Sequence, residues 1–145
     1  MSNSFTQLYV HFVFTVKDRD NELKKNIKDW LFTALHELAN EQGCKIIALN
    51  GMEDHVHILV SMSPDVSVAV LAKAFKGKSS YLANQNHVFP RKFSWQAGYA
   101  AFSVSHSMLD VVMAYIRNQQ DHHRQMTANE EFQRFLSKHN LKSES

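Results

Sequence analysis

From Leu8 to Val16 the chain alternates with the two-residue period of a strand. Val10, Phe12, Phe14 and Val16 fall on one face and Tyr9, His11, Val13 and Thr15 on the other. The first set predicts a core face. The second is less apolar and carries His11. A charged turn follows, Lys17-Asp18-Arg19-Asp20, and then the period changes. Leu23, Ile27, Trp30, Leu31, Ala34, Leu35 and Leu38 recur every three or four positions, which predicts an amphipathic helix from about Asn21 to Gln42. Asp20 or Asn21 is the expected N-cap, and Gly43 the expected stop. Lys45 to Leu49 is a short β-branched run, and Asn50-Gly51 is a turn signal leading into Asp54-His55-Val56-His57-Ile58-Leu59-Val60.

Ser63-Pro64-Asp65 opens a second helix, roughly Val66 to Asn84, with Val66, Val70, Leu71, Ala74, Phe75 and Leu82 as its expected buried stripe. Pro90-Arg91-Lys92 lies in a loop, and Gly98 to Ser105 alternates again as a fourth strand. Ser107 and Asp110 have the spacing of a capping box ahead of a third helix, whose apolar positions are Met108, Leu109, Val112, Met113 and Ile116. A shorter amphipathic segment, Glu130 to Lys138, follows. The order is strand, helix, strand, strand, helix, strand, helix. The fold class this predicts is α+β: a ferredoxin-like split βαβ unit, with a mainly antiparallel four-stranded sheet and two helices on one face. The other face is left for something else, and a third helix, rich in polar side chains, is still to be placed.

Composition narrows the setting. A chain of 145 residues that is 44% hydrophobic fits one globular domain, residues 1–145, with a proper core. No apolar run is long enough to cross a bilayer, and Met1-Ser-Asn-Ser lacks the form of a signal peptide. The single cysteine, Cys44, suits a reducing cytoplasm. A net charge of +2 is too small to announce nucleic acid, so a binding surface for it must be local. The nine histidines are many for this length.

Two of them set up the candidate chemistry. On a strand His55, His57 and Leu59 share one face, while Val56, Ile58 and Val60 share the other. Two imidazoles so placed can reach one metal ion, although a His-x-His strand is more often a partly exposed, hydrogen-bonded pair. On the third helix Tyr115, Gln119 and His123 stack at four-residue spacing, with His122 a turn beyond Gln119. That row can be a site, or a tyrosine covering the edge of the core. Lys73, Lys76 and Lys78 lie on the exposed side of the second helix, which is also how an ordinary solvated face reads.

Together, His55-Val-His57 and the element order make a pattern that resembles the single-tyrosine transposases of the His-hydrophobic-His class, found in bacterial insertion sequences and their repeat-associated relatives. The resemblance runs over nearly the whole chain. It includes Lys17 and Arg19 after the first strand, Gly51-Met-Glu-Asp-His55-Val-His57, the run Lys76 to Ser80, Trp95-Gln-Ala-Gly98-Tyr-Ala-Ala-Phe-Ser103, and Tyr115-x-x-x-Gln119.

The resemblance implies a metal-dependent single-stranded DNA transposase. Tyr115 matches the nucleophile, and His55, His57 and Gln119 match the metal ligands. Attack by the phenol would give a 5′-phosphotyrosine and a free 3′-OH, conserving the energy of the broken bond for strand transfer without ATP. Two nitrogen ligands and one oxygen suit Mg²⁺ or Mn²⁺ and do not separate them. Lys73, Lys76, Lys78, Arg91 and Lys92 are expected phosphate contacts around DNA with hairpin ends, with Tyr81, Phe89 or Trp95 available to stack on bases. The implied setting is the cytoplasm, at the nucleoid, with no membrane.

Family members are dimers, and in several the tyrosine helix completes the partner's site. The edge strand Gly98 to Ser105 has no charge or proline to discourage pairing, and the third helix needs a cover, so a homodimer is expected. Three other readings fit parts of the pattern. They are a domesticated DNA-hairpin-binding protein, a relaxase or replication initiator, and a ferredoxin-like metal enzyme acting on a small molecule.

Overall fold

The computed structural model describes residues 4–119. His122, His123 and the segment Glu130 to Lys138 lie outside the described residues. The elements run β1 (Tyr9–Thr15), α1 (Lys25–Glu41), β2 (Lys45–Gly51), β3 (His55–Ser61), α2 (Val68–Gln85), β4 (Ala100–Val104), a 3-10 turn (His106–Met108) and α3 (Leu109–Arg117). The sheet order is β2-β3-β1-β4 and every neighbouring pair is antiparallel. This is the α+β, split βαβ arrangement that the sequence pattern predicts.

Alternation decides which side of the sheet each residue serves. Val10, Phe12 and Phe14 from β1 and Val56, Ile58 and Val60 from β3 point into one cluster with Leu31, Leu35 and Leu38 of α1 and Leu71 and Phe75 of α2. Phe75 stands edge-on to Phe12 at 5.9 Å between ring centroids. Each such side chain removed from water contributes about 1.5–3 kcal/mol, so this layer holds most of the stabilising area.

Four local details differ from the sequence expectation. Neither Asp20 nor Asn21 caps α1. The cap position is Lys24, which makes no side-chain bond. Leu23 instead donates its N–H to the Glu53 carbonyl at 2.7 Å, holding this stretch extended for two more residues. Asn21 is buried and clamps the distant loop, with Nδ2 donating to Lys92 O at 3.0 Å and Oδ1 accepting from Arg91 N at 3.2 Å. The expected stop at Gly43 holds, with a left-handed φ of 72°.

Second, α2 begins at Val68, with Ser67 as N-cap accepting from Val70 N at 3.1 Å. Its buried stripe is Leu71, Phe75, Ser79 and Ala83 with Ala72, while Val70 and Leu82 are exposed. The later start shifts which residues meet the core. Third, Asn50-Gly51 is no turn. Both belong to β2, and the chain reverses over residues 52–54, closed by Met52 N donating to His55 O at 2.9 Å. Gly51 is there for space: a Cβ would lie 3.0 Å from Val56 Cγ1 and 3.1 Å from His55 O. Fourth, Ser107 does not cap α3. It sits in the 3-10 turn with its hydroxyl 3.1 Å from that of Ser105, and the cap position, Met108, makes no side-chain bond.

Candidate active site

The second face of the same strands is built from different residues. His11 of β1 and His55 and His57 of β3 are all buried there. Residues opposite one another on antiparallel strands share a face, and His11 pairs with Leu59 and with Phe102 across β3 and β4. α3 covers this side, with Ile116 packed on Ala48 and Leu59, and Leu109, Val112, Met113 and Tyr115 around them. The buried, apolar cover makes the imidazoles hard to hydrate, so each must be satisfied from within.

Two contacts orient them. His57 Nδ1 lies 2.8 Å from His11 Nε2, and His55 Nδ1 lies 2.9 Å from Asp54 Oδ1. Each fixes one ring nitrogen and turns Nε2 the other way. That is how second-row partners set the tautomer and aim of ligating histidines. The rings of His55 and His57 are 5.1 Å apart and nearly perpendicular.

Tyr115 stands over the pair. Its ring is 5.7 Å from that of His57 and 6.4 Å from that of His11, edge-on to both. One turn beyond, Gln119 is fully buried, and its Nε2 donates to Tyr115 O at 3.3 Å. The carboxamide oxygen, Oε1, is buried and has no hydrogen-bond partner among the described residues. Such an atom costs roughly 1–3 kcal/mol unless a donor or cation meets it.

The structure therefore gathers Tyr115, His57 and His55 on one face in one chain, and ends Gln119 beside Tyr115. Among the described residues no three His, Cys, Asp or Glu side chains converge as a metal cluster. The donors here are two imidazoles and a carboxamide, which fits a divalent ion that accepts both nitrogen and oxygen. His55 and His57 with their oriented rings, and the orphaned Gln119 oxygen, are the residues that would hold it.

The basic residues are not gathered in the same way. Lys73, Lys76 and Lys78 belong to α2, in the layer on the opposite side of the sheet. Lys73 and Lys78 are exposed, and Lys78 pairs with Glu41 at 3.4 Å. Lys76 donates to Gln96 O at 2.8 Å and Gly98 O at 2.6 Å, and partial burial lowers its pKa. Arg91 pairs with Asp20 at 3.4 Å, and Lys92 is exposed in the loop that Asn21 clamps. Phe89 and Trp95 are not available to bases. Phe89 stacks on Phe93 at 4.2 Å, and Trp95 is buried with its indole N–H on Ser79 Oγ at 2.9 Å. Of the three expected stacking residues only Tyr81 is open, at 62% exposure.

The sequence assigns His11 to the less apolar face of β1 and gives it no task. Asp54 reads in the sequence as the start of the histidine strand, and Asn50 as part of a turn. The signal for Asp54 was its position next to His55. For Asn50 there was none, because its direction depends on an irregularity in β2.

This fold, with paired histidines and a tyrosine helix closing over them, is that of a transposase, and the chain belongs to the family of IS200-like transposases, whose family model matches residues 4–119. It is 29% identical over 121 residues to the ISDra2 transposase TnpA of Deinococcus radiodurans, covering 79% of this chain and 86% of that protein. The crystal structure of a proposed transposase from the same organism superposes with a TM-score of 0.64 at 25% identity, over 82% of this chain and 95% of that one. A REP-associated tyrosine transposase bound to a REP hairpin shares the fold, with a TM-score of 0.65 at 13% identity, over 85% and 73% of the two chains. Among the described residues no helix is long and apolar enough to cross a membrane.

Proposed function

We propose that the chain is a metal-dependent single-stranded DNA transposase that cuts with Tyr115 and stores the cut as a phosphotyrosine. The observation that carries this is Tyr115 seated on His57, with the buried Gln119 oxygen close by and without a hydrogen-bond partner among the described residues. A structural face would have no use for that oxygen. His55, His57 and Gln119 would hold Mg²⁺ or Mn²⁺, which supplies charge neutralisation for a phosphate under attack.

The protein's own part is covalent. Tyr115 Oη forms a bond to phosphorus and gives up its proton. The bond from phosphorus to the 3′ oxygen breaks, and that oxygen leaves as a 3′-OH. The downstream fragment stays on the enzyme through its 5′ phosphate. Attack by the 3′-OH of another strand end reverses the step and frees the tyrosine, which is strand transfer. His11 and Asp54 hold the imidazoles in the tautomers this needs.

The substrate we propose is single-stranded DNA with hairpin ends, acted on in the cytoplasm at the nucleoid. The exposed Lys73, Lys78, Arg91 and Lys92 would contact its phosphates. Lys76, already on two carbonyls, would do so with what remains of its donor capacity. The active species is proposed to be a homodimer with two equivalent sites, because joining two strand ends needs two nucleophiles. Tyr115 is proposed to serve the histidines of its own chain, supported by its ring contacts with His57 and His11.

Incubation with a hairpin-ended oligonucleotide and Mn²⁺ should give a protein–DNA adduct that resists denaturant and carries only the fragment on the 3′ side of the cut, held by its 5′ phosphate. Chelation should stop it. Adduct formation at full rate in excess chelator would remove the metal from the reading. Mixing Tyr115→Phe with His57→Ala chains tests the choice of subunit. No activity should return, and a mixed dimer recovering about half would assign the tyrosine to its partner.

A further inference from the structure

We infer that Asn50 is a positioning residue, a latch from the edge strand that fixes the end of the tyrosine helix over the histidines of the same chain. This rests on the proposed reading of the site.

The direction of Asn50 comes from a bulge. Between Ile46 and Ala48 the β2–β3 register slips by one residue, so Ile46 pairs with Val60 but Ala48 pairs with Leu59. Without the slip, alternation from Ile46 would put Asn50 in the helix layer with α1 and α2. With it, Ala48 and Asn50 turn to the α3 side, and Asn50 becomes the cross-strand partner of His57.

There its carboxamide is held from both ends. Oδ1 accepts from Gly51 N at 2.9 Å. Nδ2 donates to Ile116 O at 2.9 Å and Arg117 O at 3.2 Å. These are carbonyls of the last turn of α3. The two acceptors lie within the stretch between Tyr115 and Gln119. The latch thus ties the nucleophile and the candidate ligand to the strand residue opposite His57. Apolar packing alone, through Ile116 on Ala48 and Leu59, would let the helix end slide, since such contacts are not directional.

The consequence is specific. Breaking the latch should loosen the end of α3 and displace Gln119 while the histidine strand stays as it is. Asn50→Asp keeps the shape and turns the two donors into an acceptor facing two carbonyls. Asn50→Ala removes them without adding charge.

The test uses the full chain and two readouts. Amide exchange over residues 112–119 needs neither metal nor DNA. It should rise on the order of tenfold in Asn50→Asp, and less in Asn50→Ala, with β1 and β3 amides unchanged. Mn²⁺ affinity by calorimetry should fall on the order of tenfold in Asn50→Asp, and this loss should vanish in a Gln119→Ala background, because the latch acts through Gln119. Unchanged exchange in α3, equal loosening of β3, or an affinity loss that persists without Gln119 would each overturn the inference. If the wild-type chain binds no Mn²⁺, the metal reading fails by itself, and the exchange measurement still decides the latch.

Discussion

On one side of the sheet Phe12, Phe14, Val56, Ile58 and Val60 meet the stripes of α1 and α2; on the other, one residue along each strand, His11, His55 and His57 meet α3. The first contact is chiefly aromatic and aliphatic, and its buried Ser79 hydroxyl accepts from the Trp95 indole N–H. The second sets buried polar pairs, His11 with His57 and Asp54 with His55, under an apolar cover, and Gln119 Oε1 there has no hydrogen-bond partner among the described residues. Non-directional packing tolerates small shifts and supplies most of the stability. Directional pairs supply geometry at a net gain of only about 1 kcal/mol each. The period of two in a strand lets one chain segment do both jobs at once. Stability and chemistry are then separable by substitution, one residue apart.

Neighbouring residues should therefore fail in opposite ways. His57→Ala should abolish metal-dependent cleavage and weaken Mn²⁺ binding by roughly tenfold or more, judged by what even second-row partners are worth. Its stability in metal-free buffer should fall only by about 1–3 kcal/mol, the loss of the buried contact with His11, because the Val56, Ile58 and Val60 layer is untouched. A collapse of stability would make His57 structural and erase the distinction between the faces. Phe12→Ala is the mirror case. Losing a fully buried ring should cost about 3–5 kcal/mol in urea unfolding, and the fraction still folded should retain its Mn²⁺ affinity.

Smaller changes sharpen the boundary between the faces. Gly51 ends β2 where the helix-side residue Val56 and the His55 carbonyl crowd it, so Gly51→Ala should destabilise by about 1–3 kcal/mol as an overpacking. A neutral result would mean that β2 can move away from β3 at its end. Gly77 is the opposite kind of glycine. It sits mid-helix on the exposed side of α2 with nothing within 4 Å of a Cβ, and Gly77→Ala should stabilise by about 0.5–1 kcal/mol. Thermal unfolding checks both.

Much of this could be read before any coordinates. The two-residue alternation in β1 and β3 assigned every residue of those strands to its face, because burial on both sides leaves no freedom of register. Tyr115 lies in α3 and Gln119 two residues past its end, where its Nε2 reaches back to the Tyr115 carbonyl. What could not be read depends on contacts between distant segments. Asn21 is drawn from a helix cap to the loop at Lys92, some seventy positions away. Asn50-Gly51 carries a strong turn signal, but pairing with His57 and Val56 overrides it. Phe89 and Trp95 are aromatic in a loop-like stretch, and only the fold shows them folded back into the core.

The most direct test is to locate the covalent bond. Wild-type chain, a hairpin-ended oligonucleotide and Mn²⁺ are incubated, the adduct is digested, and the modified peptide is identified by mass spectrometry. The account predicts a nucleotide phosphate on Tyr115, and a Tyr115→Phe chain that still binds the hairpin with unchanged affinity but forms no adduct. A phosphate on Tyr9, Tyr81 or Tyr99, or an adduct persisting in Tyr115→Phe, would contradict it.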